Sequence, residues 1–381
     1  MERSPVPLFN RNRFKLGIFC MNVSHGTTMT TVPGTLTPTW AENVRIAQAA
    51  DRAGWEFLLP LGRWRGFGGA LNFNDKSFEV YTWAAGIAAV TTQIQVFTTS
   101  HIRMIHPVMA AKQGCTVDHI SGGRSALNVV AGQKPQEIAM FGIEQIAHDD
   151  AYDAADEWVT IVKRLWTEDD DFDFDGRYFQ SKGAHAMPKP LQKPYPVIVN
   201  AGQSPRGRLF GAKHADLSFL AFPELEPLKA MVASTRETAQ REYQRDLGIL
   251  NHCYVVCRDT EKEARDFVRH YVDECGDWAA AEGLIKALLG GNEHSIPHEK
   301  LVKMQRDFIA GWAGYPLVGT PEQIVEKIQG LVDIGINGAA LHWVDYEDGI
   351  ERFNAQVLPL LEQAGLREPS DRCADGTRVQ F

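Results

Sequence analysis

Between residues 15 and 343 the chain alternates short runs rich in β-branched and aromatic residues with stretches whose apolar residues fall three or four apart. That rhythm restricts it to a parallel sheet covered by helices. The runs are residues 15–21, 56–61, 94–99, 124–131, 196–201, 216–222, 250–257 and 338–343. Eight is the strand number of a (β/α)8 TIM barrel, and a chain of 381 residues is within reach of that fold as one domain. Residues 1–367 are therefore read as a single barrel domain and 368–381 as a polar, frayed tail.

The helical stretches carry apolar stripes, Trp40, Val44, Ala47 and Ala50 in one and Trp158, Ile161, Val162 and Leu165 in another, which read as core. Pro107 after His106, and Thr320-Pro321-Glu322-Gln323, are helix starts with a cap followed by an N1 proline. The closing helix is expected from about Ile350 to Gly365. Two insertions interrupt the rhythm. Residues 169–186, after the fourth helix, read as a hairpin turning at Asp175-Gly176. Residues 276–316, between strands seven and eight, read as helical and Gly-rich, a lid or interface element.

Several function classes are excluded by what is missing. A net charge of −9 and a pI near 5.8 leave no basic face for nucleic acid. No apolar run is long enough to span a bilayer and the first 22 residues lack the pattern of a secretory leader, so a cytoplasmic protein without membrane contact is expected. The 6 cysteines include no CxxC pair, which points to reduced thiols, and the 12 histidines form no ligand motif, so no metal is expected. Arg65-Gly66-Phe67-Gly68-Gly69 lacks dinucleotide-binding spacing, and there is no Walker A sequence.

In a barrel of this kind the active site is built where the strands end at their C-terminal side. Those ends are polar here: Asn22, Gly62-Arg63, Thr99 to His101, Asn128 running out to Gly132-Gln133, Asn200 to Ser204, and His342-Trp343. Ser204-Pro205 opens a helix whose N-terminus suits a phosphate, with Arg206 or Arg208 able to add charge.

Five segments carry a family resemblance. They are Arg63 to Gly69, Gln95 to Thr99, Asp118-His119-Ile120-Ser121-Gly122-Gly123-Arg124, Asn128 to Pro135, and Ala201-Gly202-Gln203-Ser204. Together they resemble the bacterial-luciferase-like flavin-dependent monooxygenases, and among these the pyrimidine (uracil) monooxygenases, with much of the pattern shared by dimethylsulfone and alkanesulfonate monooxygenases. The resemblance implies an FMN site. In it Gly62 and Arg63 lie along the flavin, Thr99 faces N5, Asn128 bonds the ring's polar edge, Glu137 closes the far side, and Tyr152 and Ser204 hold the phosphate.

Two departures stand out. Ala151 replaces the family's arginine before Tyr152, with Arg206 as a substitute cation, and Gln133 stands where many relatives have tryptophan. The implied activity is a two-component monooxygenase. A separate NAD(P)H:flavin reductase supplies reduced FMN, O2 is the co-substrate, and Thr99 and Asn128 act at the reacting ring. The substrate is a small molecule, first a nitrogen heterocycle and second a sulfone or sulfonate, and a homo-oligomer is expected. An F420-dependent oxidoreductase and a non-catalytic flavin-binding protein are the rival readings.

Overall fold

The computed structural model describes residues 4–132, 134–289 and 296–369. Eleven strands are present among them: β1 Lys15–Phe19, β2 Phe57–Leu59, β3 Gln95–His101, β4 Ser125–Val130, β5 Phe172–Asp175, β6 Gln180–Ala184, β7 Val197–Asn200, β8 Leu217–Leu220, β9 Gly248–Cys257, β10 Tyr315–Gly319 and β11 Gly338–His342. All eight expected runs form strands, and they make the closed parallel (β/α)8 barrel that the alternation predicts.

The chain divides into two compact units, one built around Glu79–Leu220 and Met231–Ile249, the other around Arg11–Phe78 and the residues from Leu250 onward. In the first, β3 and β4 pair in parallel with Thr99 opposite Asn128, and β4 pairs with β7. Alternation along the strands sends Leu127, Val129 and Ile198 to the helix-facing side, where they pack with Trp158, Ile161, Val162 and Leu165. Burying such large apolar side chains contributes roughly 1.5–3 kcal/mol each.

The segment Asp118 to Arg124 fastens this unit together. Its helix, Pro107–Ser121, stops at Gly122, which takes the left-handed conformation with φ 67°. Asp118 accepts from the Ser125 hydroxyl at 3.0 Å and the Gln192 amide at 2.6 Å, while Arg124 donates to the carbonyls of Ile94, Ala88 and Thr91 at 2.6, 3.1 and 3.0 Å. Both side chains are buried, so each charge is matched by hydrogen bonds where water cannot reach.

In the second unit β1 pairs with β2 and β11, and β9 pairs with β11 and β10. Asn22 holds the end of β2, accepting from Leu61 N at 2.8 Å and donating to its carbonyl at 2.9 Å. At the other end of the chain Arg367 donates to buried Glu56 at 2.7 Å and to the Phe14 and Gly54 carbonyls. The described chain continues only to residue 369, so the expected tail lies almost wholly outside the described residues.

Several expectations are adjusted by packing. The hairpin expected at 169–186 is present as antiparallel β5 and β6. The segment 276–316 does contain two helices, Trp278–Leu289 and His298–Gly311, but β10 begins within it. Pro316 argues against a strand in sequence, since it lacks an N–H, yet it is tolerated because β10 pairs with β9 from Tyr315 to Gly319 as an edge strand. Trp40 is not core: it is 41% exposed at the first position of its helix, against the edge of Phe78. The closing helix starts earlier than expected, at Tyr346, because Asp345 caps it by accepting from Glu347 N and Asp348 N. Cys20, Cys115, Cys253 and Cys257 are buried and Cys275 is half-buried, all as free thiols, and Cys373 lies outside the described residues. Among the described residues no helix is long and apolar enough to cross a membrane.

Candidate active site

Thr99 and Asn128 come together because the β3–β4 register sets them side by side on one face of the sheet. Their neighbour Ser100 points to the opposite face, where it meets the Tyr81 hydroxyl, whose pKa burial pushes up to about 12. Asn128 Nδ2 donates to Thr99 Oγ1 at 3.4 Å, and both residues are buried. The amide oxygen of Asn128 is buried with no partner among the described residues. An amide oxygen left in that state costs about 1–3 kcal/mol, which points to a donor supplied from elsewhere.

The loop after β4 leads to the helix Pro135–Met140, with Glu137 buried at its third position. Gln133, the sequence departure next to it, lies outside the described residues.

Around β7 a second set of candidates converges. Ser204 caps the helix Pro205–His214, its hydroxyl accepting from Gly207 N at 3.0 Å. Asn200 braces the turn before it, accepting from Gly202 N at 3.0 Å and donating to the Val129 carbonyl at 2.9 Å. Tyr152, buried on the helix His148–Thr167, points its hydroxyl into this turn. A methyl group on Gly202 or Gly207 would lie 2.5 or 2.6 Å from that oxygen, so only glycine admits it. Burial raises the Tyr152 pKa, opposed by the hydrogen bond with Ser204 and by the charge of Arg206.

The structure therefore brings Tyr152, Ser204, Gly202 and Gly207 together. Ala151 is buried beside Tyr152. Arg206 turns to Asp153 and forms an ion pair with it. Arg208 donates from Nη1 to the Gln203 carbonyl at 2.8 Å.

Gly62 and Arg63 belong to the second unit. Gly62 is buried, and the Arg63 guanidinium lies over Phe67, 4.6 Å from the ring centroid, and faces Trp312 at 5.9 Å. The same unit holds His252, which sequence reasoning did not place in a site, beside His342, which it named only as a polar strand end. His252 on β9 and His342 at the end of β11 are fully buried and stack with ring centroids 4.7 Å apart at 39°. Burial lowers the pKa of His252 to about 3, and burial together with the adjacent His252 holds His342 well below the usual range. The polar end of strand eight was visible in sequence, but the pairing depends on register: His342 faces Tyr254 and Ala340 faces His252.

Residues 14–338 match the luciferase-like monooxygenase family. The chain belongs to that family and is thus a flavin-dependent monooxygenase. It is 30% identical to the FMNH(2)-dependent dimethylsulfone monooxygenase of Pseudomonas putida, over 84% of this chain and 88% of that one. It is 29% identical to the pyrimidine monooxygenase RutA of a Bradyrhizobium species, over 92% and 98%. Among solved structures, riboflavin lyase (RcaE) with modified FMN and riboflavin superposes with a TM-score of 0.85 at 23% identity, covering 95% of this chain and 94% of that one. At that identity the last comparison speaks to the fold.

Proposed function

We propose that this protein is the oxygenating component of a two-component system, taking reduced FMN from a separate NAD(P)H:flavin reductase and using O2 to oxidise a small organic substrate, first a nitrogen heterocycle. The observation that carries the reading is the Asn128–Thr99 pair, whose buried amide oxygen has no partner among the described residues and suits an N–H on the polar edge of a flavin. Tyr152, Ser204 and the glycine turn fit the far end of the cofactor, since a capped helix N-terminus offers backbone N–H groups and a partial positive charge. Glu137 and the Gly62-Arg63 loop are assigned to the same cofactor by the family resemblance.

When bound, reduced FMN supplies the two electrons with which O2 is split, one oxygen atom passing to substrate and the other leaving as water. In this reading Asn128 orients the ring and accepts a hydrogen bond from it, Thr99 holds Asn128 in the required rotamer, and the apolar strand walls keep water out. Relatives named for a pyrimidine and for dimethylsulfone support a small substrate.

The test is reconstitution with a flavin reductase, NADH, FMN and 18O2, offering uracil and dimethyl sulfone. One labelled oxygen in the product, dependent on reduced FMN, is the expected result. Oxygen consumption no greater than that of free reduced FMN, with no labelled product from a heterocycle panel, sinks the proposal.

A further inference from the structure

The stacked histidines of the second unit have no role in the cofactor reading. A buried imidazole whose two nitrogens lack hydrogen bonds, as those of His342 do among the described residues, is an expensive feature unless something uses it. Phe19 packs its edge on His252 with centroids 4.9 Å apart, and Tyr254 lies 6.2 Å from His342. Neither ring nitrogen of His342 makes a hydrogen bond of normal geometry among the described residues, the Gly311 backbone being the polar group beside it. Burial is the largest cause lowering the pKa of both rings, with the partner imidazole adding to it at His342 and the Gly311 backbone opposing it there.

The cover over this pair is built from glycine. A methyl group on Gly311 would lie 2.5 Å from Cε1 of His342, and one on Gly314 would lie 3.2 Å from the His252 ring. Between them Trp312 and Ala313 are both left-handed, with φ 50° and 54°, a conformation that costs a non-glycine residue roughly 1–3 kcal/mol. The turn therefore rests directly on the imidazoles and holds strain that its displacement would release. Trp312 anchors it against Phe67 and Phe73, at 5.6 and 5.7 Å.

We infer that His342, backed by His252, is the hydrogen-bonding group for the substrate, and that the substrate is an uncharged polar molecule that reaches it by displacing the Gly311–Gly314 turn. An imidazole in this setting presents one donor and one acceptor, which matches adjacent N–H and C=O groups of a lactam or amide ring. A neutral imidazole offers a sulfonate no counter-charge, so burying one against His342 is unfavourable by several kcal/mol unless Arg63, which lies over Phe67 beside Trp312, is drawn in with it. The inference rests on the monooxygenase reading for the word substrate, but the contact itself is testable without turnover.

The experiment is 15N-histidine NMR on the full chain, with and without FMN, the two signals assigned from His342→Gln and His252→Asn. Uracil, dimethyl sulfone and methanesulfonate are added separately at millimolar concentration. Uracil is expected to shift the His342 signal, methanesulfonate to leave it unmoved, and His342→Phe to weaken uracil binding at least tenfold while His342→Gln, which keeps a donor and an acceptor, recovers part of it. A His342 signal unmoved by all three probes, or moved by methanesulfonate alone, overturns the inference. So does unchanged uracil affinity in His342→Phe with a wild-type melting temperature. Loss of FMN binding by the wild-type protein would instead count against the cofactor reading and leave this contact standing or falling on the spectra without FMN.

Discussion

The polar residues of the two units are buried under different terms. Around β3, β4 and β7 each buried amide or carboxylate is tied into a hydrogen-bond network, as Asp118 is to Ser125 and Gln192 and as Asn200 is to Gly202 and Val129. Among the described residues two amide oxygens there stand apart, that of Gln95 at the start of β3 and that of Asn128 near the end of β4, where strand ends build the site. Around β9 and β11, by contrast, two whole imidazoles are buried against aromatic rings and glycine backbone, and burial is the largest cause that keeps both neutral, with His252 also acting on His342. A network with a gap at the strand ends suits a ligand of fixed shape that completes it. A dry pair of neutral rings suits a ligand that changes place with the protein covering it.

The largest expected effect tests the second region. Both histidines are neutral in the folded protein, whereas in the unfolded chain they take a proton near pH 6.5. Their contribution is present above that pH and is lost as pH falls toward the folded-state value, about 3 for His252. Each ring's slope rises from about half of 1.4 kcal/mol per pH unit at pH 6.5 to nearly the full value at pH 5, so the pair should account for about 3 kcal/mol of lost stability between them. Urea denaturation of the wild type and of the His252→Asn/His342→Gln double variant across that range measures it. Parallel pH dependences would mean the rings are solvated, and the contrast between the regions would dissolve.

Next in size is Asn128→Ala, which should lower turnover by about 3 kcal/mol, on the order of a hundredfold, because a preorganised hydrogen bond to the ring matters most once charge develops there. FMN affinity, measured by fluorescence titration, should change less than turnover does. Unaltered turnover at saturating reduced FMN would remove Asn128 from the site.

Glycine replacement then sharpens the comparison directly. In Gly207→Ala the new methyl group meets the Tyr152 hydroxyl at 2.6 Å and backbone of Gly202 at 2.8 Å, and in Gly311→Ala it meets the His342 ring at 2.5 Å. Each should destabilise by about 2 kcal/mol through overpacking. The FMN titration should respond to the first and not to the second. Equal responses would erase the division of labour between the two regions.

The smallest effects concern charge at the turn after β7. Arg206 is committed to Asp153, so Arg206→Ala should leave the FMN dissociation constant within about twofold, as expected for losing an exposed ion pair. Ala151→Arg should tighten FMN by about 1 kcal/mol if the new guanidinium reaches the phosphate. Weakening by Arg206→Ala with no gain from Ala151→Arg would assign the phosphate to Arg206 after all.

Much of this protein was legible in its sequence because the signals are local. Alternation of strand and helix patterns revealed all eight barrel strands, and the Ser204-Pro205 and Thr320-Pro321 starts form the caps their residues predict. Thr99, Asn128, Tyr152 and Ser204 could be picked out because polar residues at strand ends are conspicuous and the family motif ranks them. The Asp118 to Arg124 motif was legible as a family mark, yet its work is structural: it joins a helix end to β4, which no spacing reveals. β10 was hidden by Pro316, since edge pairing is a property of the assembled sheet.

What the amino-acid order determined by itself is the barrel, its capped helices and the identity of the polar strand ends, all of which depend on residues within a few positions of one another. Which polar groups face a partner was decided only by the tertiary structure. Strand register places Asn128 beside Thr99 and His342 opposite Tyr254, ion pairing draws Arg206 to Asp153, and a turn from a distant helix comes down on His342. Those contacts join residues tens of positions apart, and their energies arise from burial, which exists only once the chain has closed around them.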